Sequence, residues 1–90
     1  MKVLLVDDHE LIRAALRGVL KELIHDAAVM EAADSHQAMQ LVEAHPDLHL
    51  ILLDLNLPDR DGFAVLADLR RRYATIGVGV DRCAWSIHNR

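Results

Sequence analysis

The stretch ILLDLNLPDRDG, residues 51–62, decides the fold. Ile51, Leu52 and Leu53 make an apolar run of the kind that fills the middle of a sheet. The run stops on an acid, Asp54, and Asn56, Asp59 and Asp61 follow in quick order. A carboxylate without a partner is costly to desolvate. Asp54 therefore either lies exposed at the strand's end by accident or meets something cationic there.

Outward from this strand, short apolar runs alternate with helical patterns. Val3 to Val6 reads as a buried strand from its length and β-branched content. In DDHELIRAALRGVLKELIHD (7–26), Leu11, Ile12, Ala15, Leu16, Val19, Leu20, Leu23 and Ile24 recur at helical spacing. Arg13, Arg17, Lys21 and Glu22 fall on the opposite side, so an amphipathic helix with one buried face is expected. Asp8 or His9 is its entry, an acid being well placed at the positive end of a helix. AAVMEAA (27–33) reads as a weaker strand, and DSHQAMQLVEAH (34–45) as a helix. That helix is capped by Asp34 or Ser35, carries Ala38, Leu41 and Val42 as its apolar stripe, and is ended by Pro46. LHLILLDL (48–55) is apolar without alternation, as expected of a strand covered on both faces. NLPDRDG is a turn-rich loop. DGFAVLADLRRRY reads as a third helix, with Asp61 as cap and Phe63, Val65, Leu66 and Leu69 as its buried side. IGVGV (76–80) reads as a fourth strand. This βα alternation predicts an α/β domain, a parallel sheet with helices on both faces.

Ninety residues make one domain, and 52% apolar content is enough for a core. A formal charge of −4 gives no footprint for nucleic acid or an anionic membrane. The basic triplet Arg70-Arg71-Arg72 suits the C-terminal end of a helix. The single cysteine, Cys83, cannot form an internal disulfide, which points to a reducing compartment. No signal peptide or membrane span is legible at the start. These features predict a cytoplasmic protein.

In an open parallel sheet, ligands collect outside the carboxyl ends of the strands. Asp7 and Asp8 end the first strand and Asp54 ends the third. If these strands are neighbours, three carboxylates converge on one edge and repel unless a cation sits among them. Mg²⁺ suits two carboxylates together with waters and phosphate oxygens. The plainer alternative is helix capping by Asp7 and Asp8 and an exposed strand end at Asp54.

The segments VLLVDDHELIR, EAADSHQAM and LILLDLNLPDRDGFAVL, in this order and spacing, resemble the receiver domain of bacterial two-component response regulators. The DDHELIR segment is most similar to the subgroup whose receiver precedes a helix-turn-helix output domain. The resemblance covers about residues 1 to 76. It implies a flavodoxin-like, three-layer parallel sheet, order 2-1-3-4 for the strands present here, the order already known for receivers. It implies that Asp54 accepts a phosphoryl group from a sensor histidine kinase or a small phosphodonor. It implies that Asp8, assisted by Asp7, binds Mg²⁺ with Asp54, and that the backbone carbonyl of Asn56 completes the metal's shell. Pro58 and Gly62 match the loop that shapes the site. Any enzymatic activity would be limited to Mg²⁺-dependent self-phosphorylation and slow self-dephosphorylation, without turnover.

The tail departs from the family's pattern. A receiver carries a Ser or Thr at the end of its fourth strand and a Lys at the end of its fifth. Here Arg82 falls at about the Ser/Thr position, Ser86 lies too far on, and the Lys has no counterpart. Gly77 and Gly79 leave one face of the fourth strand without side chains. The expected division is a truncated receiver over 1–80 and a divergent tail over 81–90, without the fifth strand and last two helices. A shift of reading frame near residue 77 is one cause; a short natural variant using Trp85 and Ile87 to cover the edge is another. DRCAWSIHNR could give a short helical piece. An open fourth-strand edge invites self-association. Signal switching is expected to be impaired, so a non-switching binding or assembly module acting through the sheet edge is the alternative function. An aspartyl phosphatase fits poorly, because such hydrolases want an acid where Asn56 stands.

The six histidines show no zinc spacing. His45 and His49 are separated by Pro46, and surface or capping roles suit them better. His9 follows the acid pair and could touch the site, although a first-turn helix position is its default. Cys83 has no base beside it in sequence and reads as inert.

Overall fold

The structure is a computed structural model that describes residues 1–72 in full, with the strands at 77–80 and 85–86 placed beyond them. Its elements are β1 (Lys2–Val6), α1 (Glu10–Leu23), β2 (Ala28–Ala32), α2 (Ser35–Ala44), β3 (Leu50–Leu53), α3 (Gly62–Arg72), β4 (Gly77–Val80) and β5 (Trp85–Ser86). The sheet order is β2-β1-β3-β4-β5. The first four strands in that order run parallel. This is the expected flavodoxin-like arrangement, with three helices among the described residues.

The periodicity of the strands explains the layers. Leu4, Val6, Ala32, Ile51 and Leu53 point to one face and pack in one core with Ala38 and Val42 of α2 and Val65, Leu66 and Leu69 of α3. The alternate residues point to α1, which touches β1 and β2. The capping of α2 follows the sequence: Asp34 is the N-cap and its side chain accepts from the Gln37 N–H at 2.8 Å. In α3, Asp61 accepts from the Phe63 N–H through its side chain at 3.0 Å.

Four expectations need correcting. No residue of α1 is fully buried, and Leu11 and Leu23 remain 86% and 77% exposed. Among the described residues one helix covers this face, lying over β1 and β2, and no described element packs over its outer apolar residues. For the same reason β3 is not covered on both faces: Ile51 and Leu53 are buried, while Leu50 and Leu52 are only partly so. In α3, Phe63 is 60% exposed and Gly62 takes the buried first position instead. Lastly, Trp85 and Ser86 form a strand and not a helical piece. They pair antiparallel with Val80 and Gly79, so the outer edge of β4 is occupied along part of its length. What is added at this edge is a two-residue antiparallel strand, not a fifth parallel one. Arg82 and Cys83, singled out in the sequence, lie outside the described residues.

Candidate functional site

The register of the sheet brings the acids together. Val6 of β1 pairs with Ala32 of β2 on one side and with Leu53 of β3 on the other. The next residues on β1 and β3, Asp7 and Asp54, therefore leave adjacent strands at the same level. The ladder runs one step further into both: the Asp7 N–H donates to the Ala32 carbonyl at 3.0 Å and the Asp54 N–H to the Val6 carbonyl at 2.9 Å. Asp7 and Asp54 have no exposed surface. An exposed strand end, the plainer alternative for Asp54, is excluded. So is simple helix capping by Asp7 or Asp8, since His9 is the N-cap of α1 and its side chain makes no cap bond.

Each acid is held by the backbone just after it. The Asn56 N–H donates to Asp54 Oδ1 at 2.9 Å, and the His9 N–H donates to Asp7 Oδ1 at 2.8 Å. Both are Asx-type turns, the local geometry for which Asp is suited. His9 turns its imidazole toward the acids: Nδ1 lies 3.0 Å from Asp7 Oδ1 and 2.8 Å from Asp8 Oδ1. Asp7, Asp8, His9 and Asp54 can each offer one ligand atom, all within 4.8 Å of one another. Three carboxylates and an imidazole so close suit a divalent cation in both charge and donor type.

The loop after Asp54 is closed at its base. The Gly62 N–H donates to the Leu55 carbonyl at 3.1 Å, and Asn56 and Asp61 form an isolated antiparallel bridge. A side chain at position 62 would not fit, because its Cβ would come within 2.3 Å of the Leu55 Cα. The far end of the loop is tied to α2. Asp59 accepts from the Ser35 N–H at 3.0 Å, the Ser35 hydroxyl at 2.6 Å and the His36 N–H at 3.2 Å. Partial burial works against the charge of Asp59. The hydroxyl and the two helix N–H groups outweigh it and hold the carboxyl below its ordinary value.

A second set of contacts anchors β1's end to α1. The Arg13 guanidinium donates to the Asp7 carbonyl and, at 3.1 Å, to Glu31 Oε1, and Arg17 pairs with the other Glu31 oxygen. Burial again opposes ionisation of Glu31, and the two arginines overcome it, so its carboxyl lies below the usual range.

All three acids named from the sequence thus meet at one edge, and Asn56 adjoins them through its N–H. The roles of Arg13, Glu31 and Asp59 were not legible there. An i, i+4 arginine pair is a usual surface pattern, and Asp59 reaches a helix 24 residues earlier in the chain. His45 and His49 are structural: His45 is the C-cap of α2, and His49 Nδ1 accepts from the Lys2 N–H at 3.0 Å.

Known proteins resemble this chain in sequence and fold. Residues 3–80 match the family described as the response regulator receiver domain. The chain is 44% identical over 77 residues to the glycerol metabolism activator of Pseudomonas putida, a match covering 86% of this chain and 35% of the relative. It is 37% identical over 71 residues to the nitrate/nitrite response regulator NarL of Escherichia coli K12, covering 78% of this chain and 32% of NarL. It therefore spans about a third of the length of these relatives. Among solved structures, the MaeR response regulator bound to beryllium trifluoride superposes with a TM-score of 0.81 at 27% identity. That match covers 89% of this chain and 65% of MaeR. RcsB of Salmonella typhimurium gives a TM-score of 0.80 at 26% identity, over 89% of this chain and 41% of RcsB. With three acids converging at the carboxyl edge of a 2-1-3-4 sheet and a family match over nearly its whole length, this chain belongs to the receiver domains of two-component response regulators.

Proposed function

We propose that this chain is a phospho-accepting receiver in which Asp54 takes a phosphoryl group from a sensor histidine kinase in the cytoplasm. The observation that carries the reading is the meeting of Asp7, Asp8 and Asp54 within one ligand-sized space at adjacent strand ends. An Asp54 oxygen forms the new O–P bond as the P–N bond of the donor phosphohistidine breaks, and the imidazole leaves with the electron pair and takes up a proton. Mg²⁺ held by Asp7, Asp8, Asp54 and the Asn56 carbonyl would offset the charge on the phosphoryl oxygens. Asn56 orients the acceptor through its N–H bond to Oδ1. Asp54 has no exposed surface, so the groups around it must part to admit a donor. Residues 1–80 form the receiver in this reading, and 81–90 a divergent tail of which Trp85–Ser86 pairs with the edge of β4. Among the described residues no helix is long and apolar enough to cross a membrane.

Thermal unfolding with Mg²⁺ and beryllofluoride, an analogue of the phosphoryl group, tests the proposal. A ligand that binds the folded state alone raises its apparent stability. The transition is expected to rise with both additions together, and Asp54→Asn is expected to abolish the rise and any gain of phosphate mass from acetyl phosphate. A transition indifferent to both additions would leave a receiver-shaped scaffold without its chemistry.

A further inference from the structure

The acid edge contains one donor that three-carboxylate chemistry does not require. His9 occupies the N-cap of α1, yet its side chain makes no capping hydrogen bond. Its ring is instead turned back over the acids, with Nδ1 2.8 Å from Asp8 Oδ1 and 3.0 Å from Asp7 Oδ1. The Asp7 carboxylate fixes the backbone that carries it, by accepting the His9 N–H at 2.8 Å. Adjacent donors around a six-coordinate ion with bonds of about 2.1 Å stand about 3.0 Å apart. The nitrogen is thus already at the edge length of such a shell from two of the oxygens.

The surroundings divide the four donors into two pairs. Asp7 and Asp54 are fully buried and directly follow β1 and β3. The side chains of Asp8 and His9 are 34% and 50% exposed, and form the solvent-facing side of the cluster. Mg²⁺ favours oxygen donors and retains its waters, whereas an imidazole nitrogen favours Mn²⁺, Co²⁺, Ni²⁺ and Zn²⁺.

We propose that His9 lends its imidazole to Asp7, Asp8 and Asp54, making a mixed nitrogen–oxygen site that favours first-row transition ions over Mg²⁺ more strongly than the carboxylates do by themselves. This inference rests on the metal-binding reading given above and specifies which ions the site selects. His9 has a simpler possible role, a hydrogen-bond donor to two carboxylates and nothing more, and the two roles differ in what a substitution does to ion preference.

Calorimetric titration of the whole chain with Mg²⁺, Mn²⁺ and Ni²⁺ separates them, using His9→Asn and, as a control on a remote exposed imidazole, His25→Asn. His9→Asn is expected to lower the Ni²⁺-to-Mg²⁺ affinity ratio by about tenfold with little change in Mg²⁺ affinity. His25→Asn should leave the ratio alone. Pulsed electron paramagnetic resonance of the Mn²⁺-loaded chain is expected to show coupling to a directly bound ¹⁴N, lost in His9→Asn. An unchanged ratio in a folded His9→Asn, or no nitrogen coupling in the wild-type chain, would overturn the inference. Should His9→Asn not fold, the wild-type coupling decides by itself. If Mg²⁺ with beryllofluoride binds and the nitrogen test fails, only this inference falls. If no ion binds at all, the receiver chemistry falls with it.

Discussion

The two faces of the sheet are made from similar residues and reach different states. Under α2 and α3, Leu4, Val6, Ile51, Leu53, Val65 and Leu69 have lost all contact with water. Under α1, Val3 and Leu5 are equally buried, but the helix above them contributes no buried residue of its own. Among the described residues, two helices share the first face, and both put side chains into one core. Among those residues one helix serves the second, and part of its attachment is ionic, through Arg13, Arg17 and Glu31. Apolar spacing decides which side of a helix can be buried; the number of neighbours decides whether it is.

The largest test of this contrast is a pair of truncations. Leu69→Ala is expected to lower the unfolding free energy by about 2–5 kcal/mol, the range for a large buried side chain. Leu23→Ala on α1 is expected to change it by about 0.5 kcal/mol or less. Urea denaturation of the two variants measures both, and equal losses would break the contrast.

A smaller effect is expected where the packed face meets the loop. Gly62→Ala forces a methyl group onto the Leu55 backbone, which must shift to admit it. A loss of about 1–3 kcal/mol follows, as for other overpacked sites. The same denaturation experiment checks it. A neutral result would show that the loop yields more readily than the core beneath it.

The smallest effects belong to the two carboxylate anchors, Glu31 under α1 and Asp59 at α2. Each replaced by its amide should cost about 1 kcal/mol or less, because both are partly exposed. Both carboxyls are held below their ordinary values in the folded chain. Their stabilisation is therefore complete above the ordinary carboxylate range and is lost as the pH falls through the lowered folded values. Stability measured at neutral pH and at about pH 3 should show the gap between wild type and Asp59→Asn narrowing in acid. Added salt should narrow the gap for Glu31→Gln more than for Asp59→Asn, since the first breaks ion pairs and the second hydrogen bonds to helix N–H groups. A gap for Glu31→Gln that salt leaves untouched would mean that α1 is held by packing after all.

The order of elements and the meeting of the acids could be read from the chain, because both depend on local periodicity and on where each strand ends. Asp7 and Asp54 converge once β1 and β3 are neighbours, and crossover connections make that pairing the natural one. What could not be read depended on neighbours distant in sequence. Phe63 has helical spacing suited to burial, but Gly62 must lie against Leu55, and that contact sets the rotation of α3. Arg13 and Arg17 fall on the polar side of α1 in sequence, yet Glu31 on β2 draws them to the sheet. His9 is formally a first-turn residue. Only the Asx turn at Asp7 shows why its ring faces the acids and not the helix.

Gly62 and Leu55 touch so closely that residues 55–62 form a ring closed at its neck. A ring has fewer shapes than an open loop, and this one loses them when the chain folds. An unclosed loop would surrender about 1–2 kcal/mol of backbone entropy for each residue it had to fix on gripping a ligand. Here that loss precedes the ligand, and Asn56 already stands at the neck beside Asp54. For a ligand at this edge, as proposed above, the closed ring would lower the ordering cost of binding. The absence of a single methyl group, at Gly62, is what allows the ring to close.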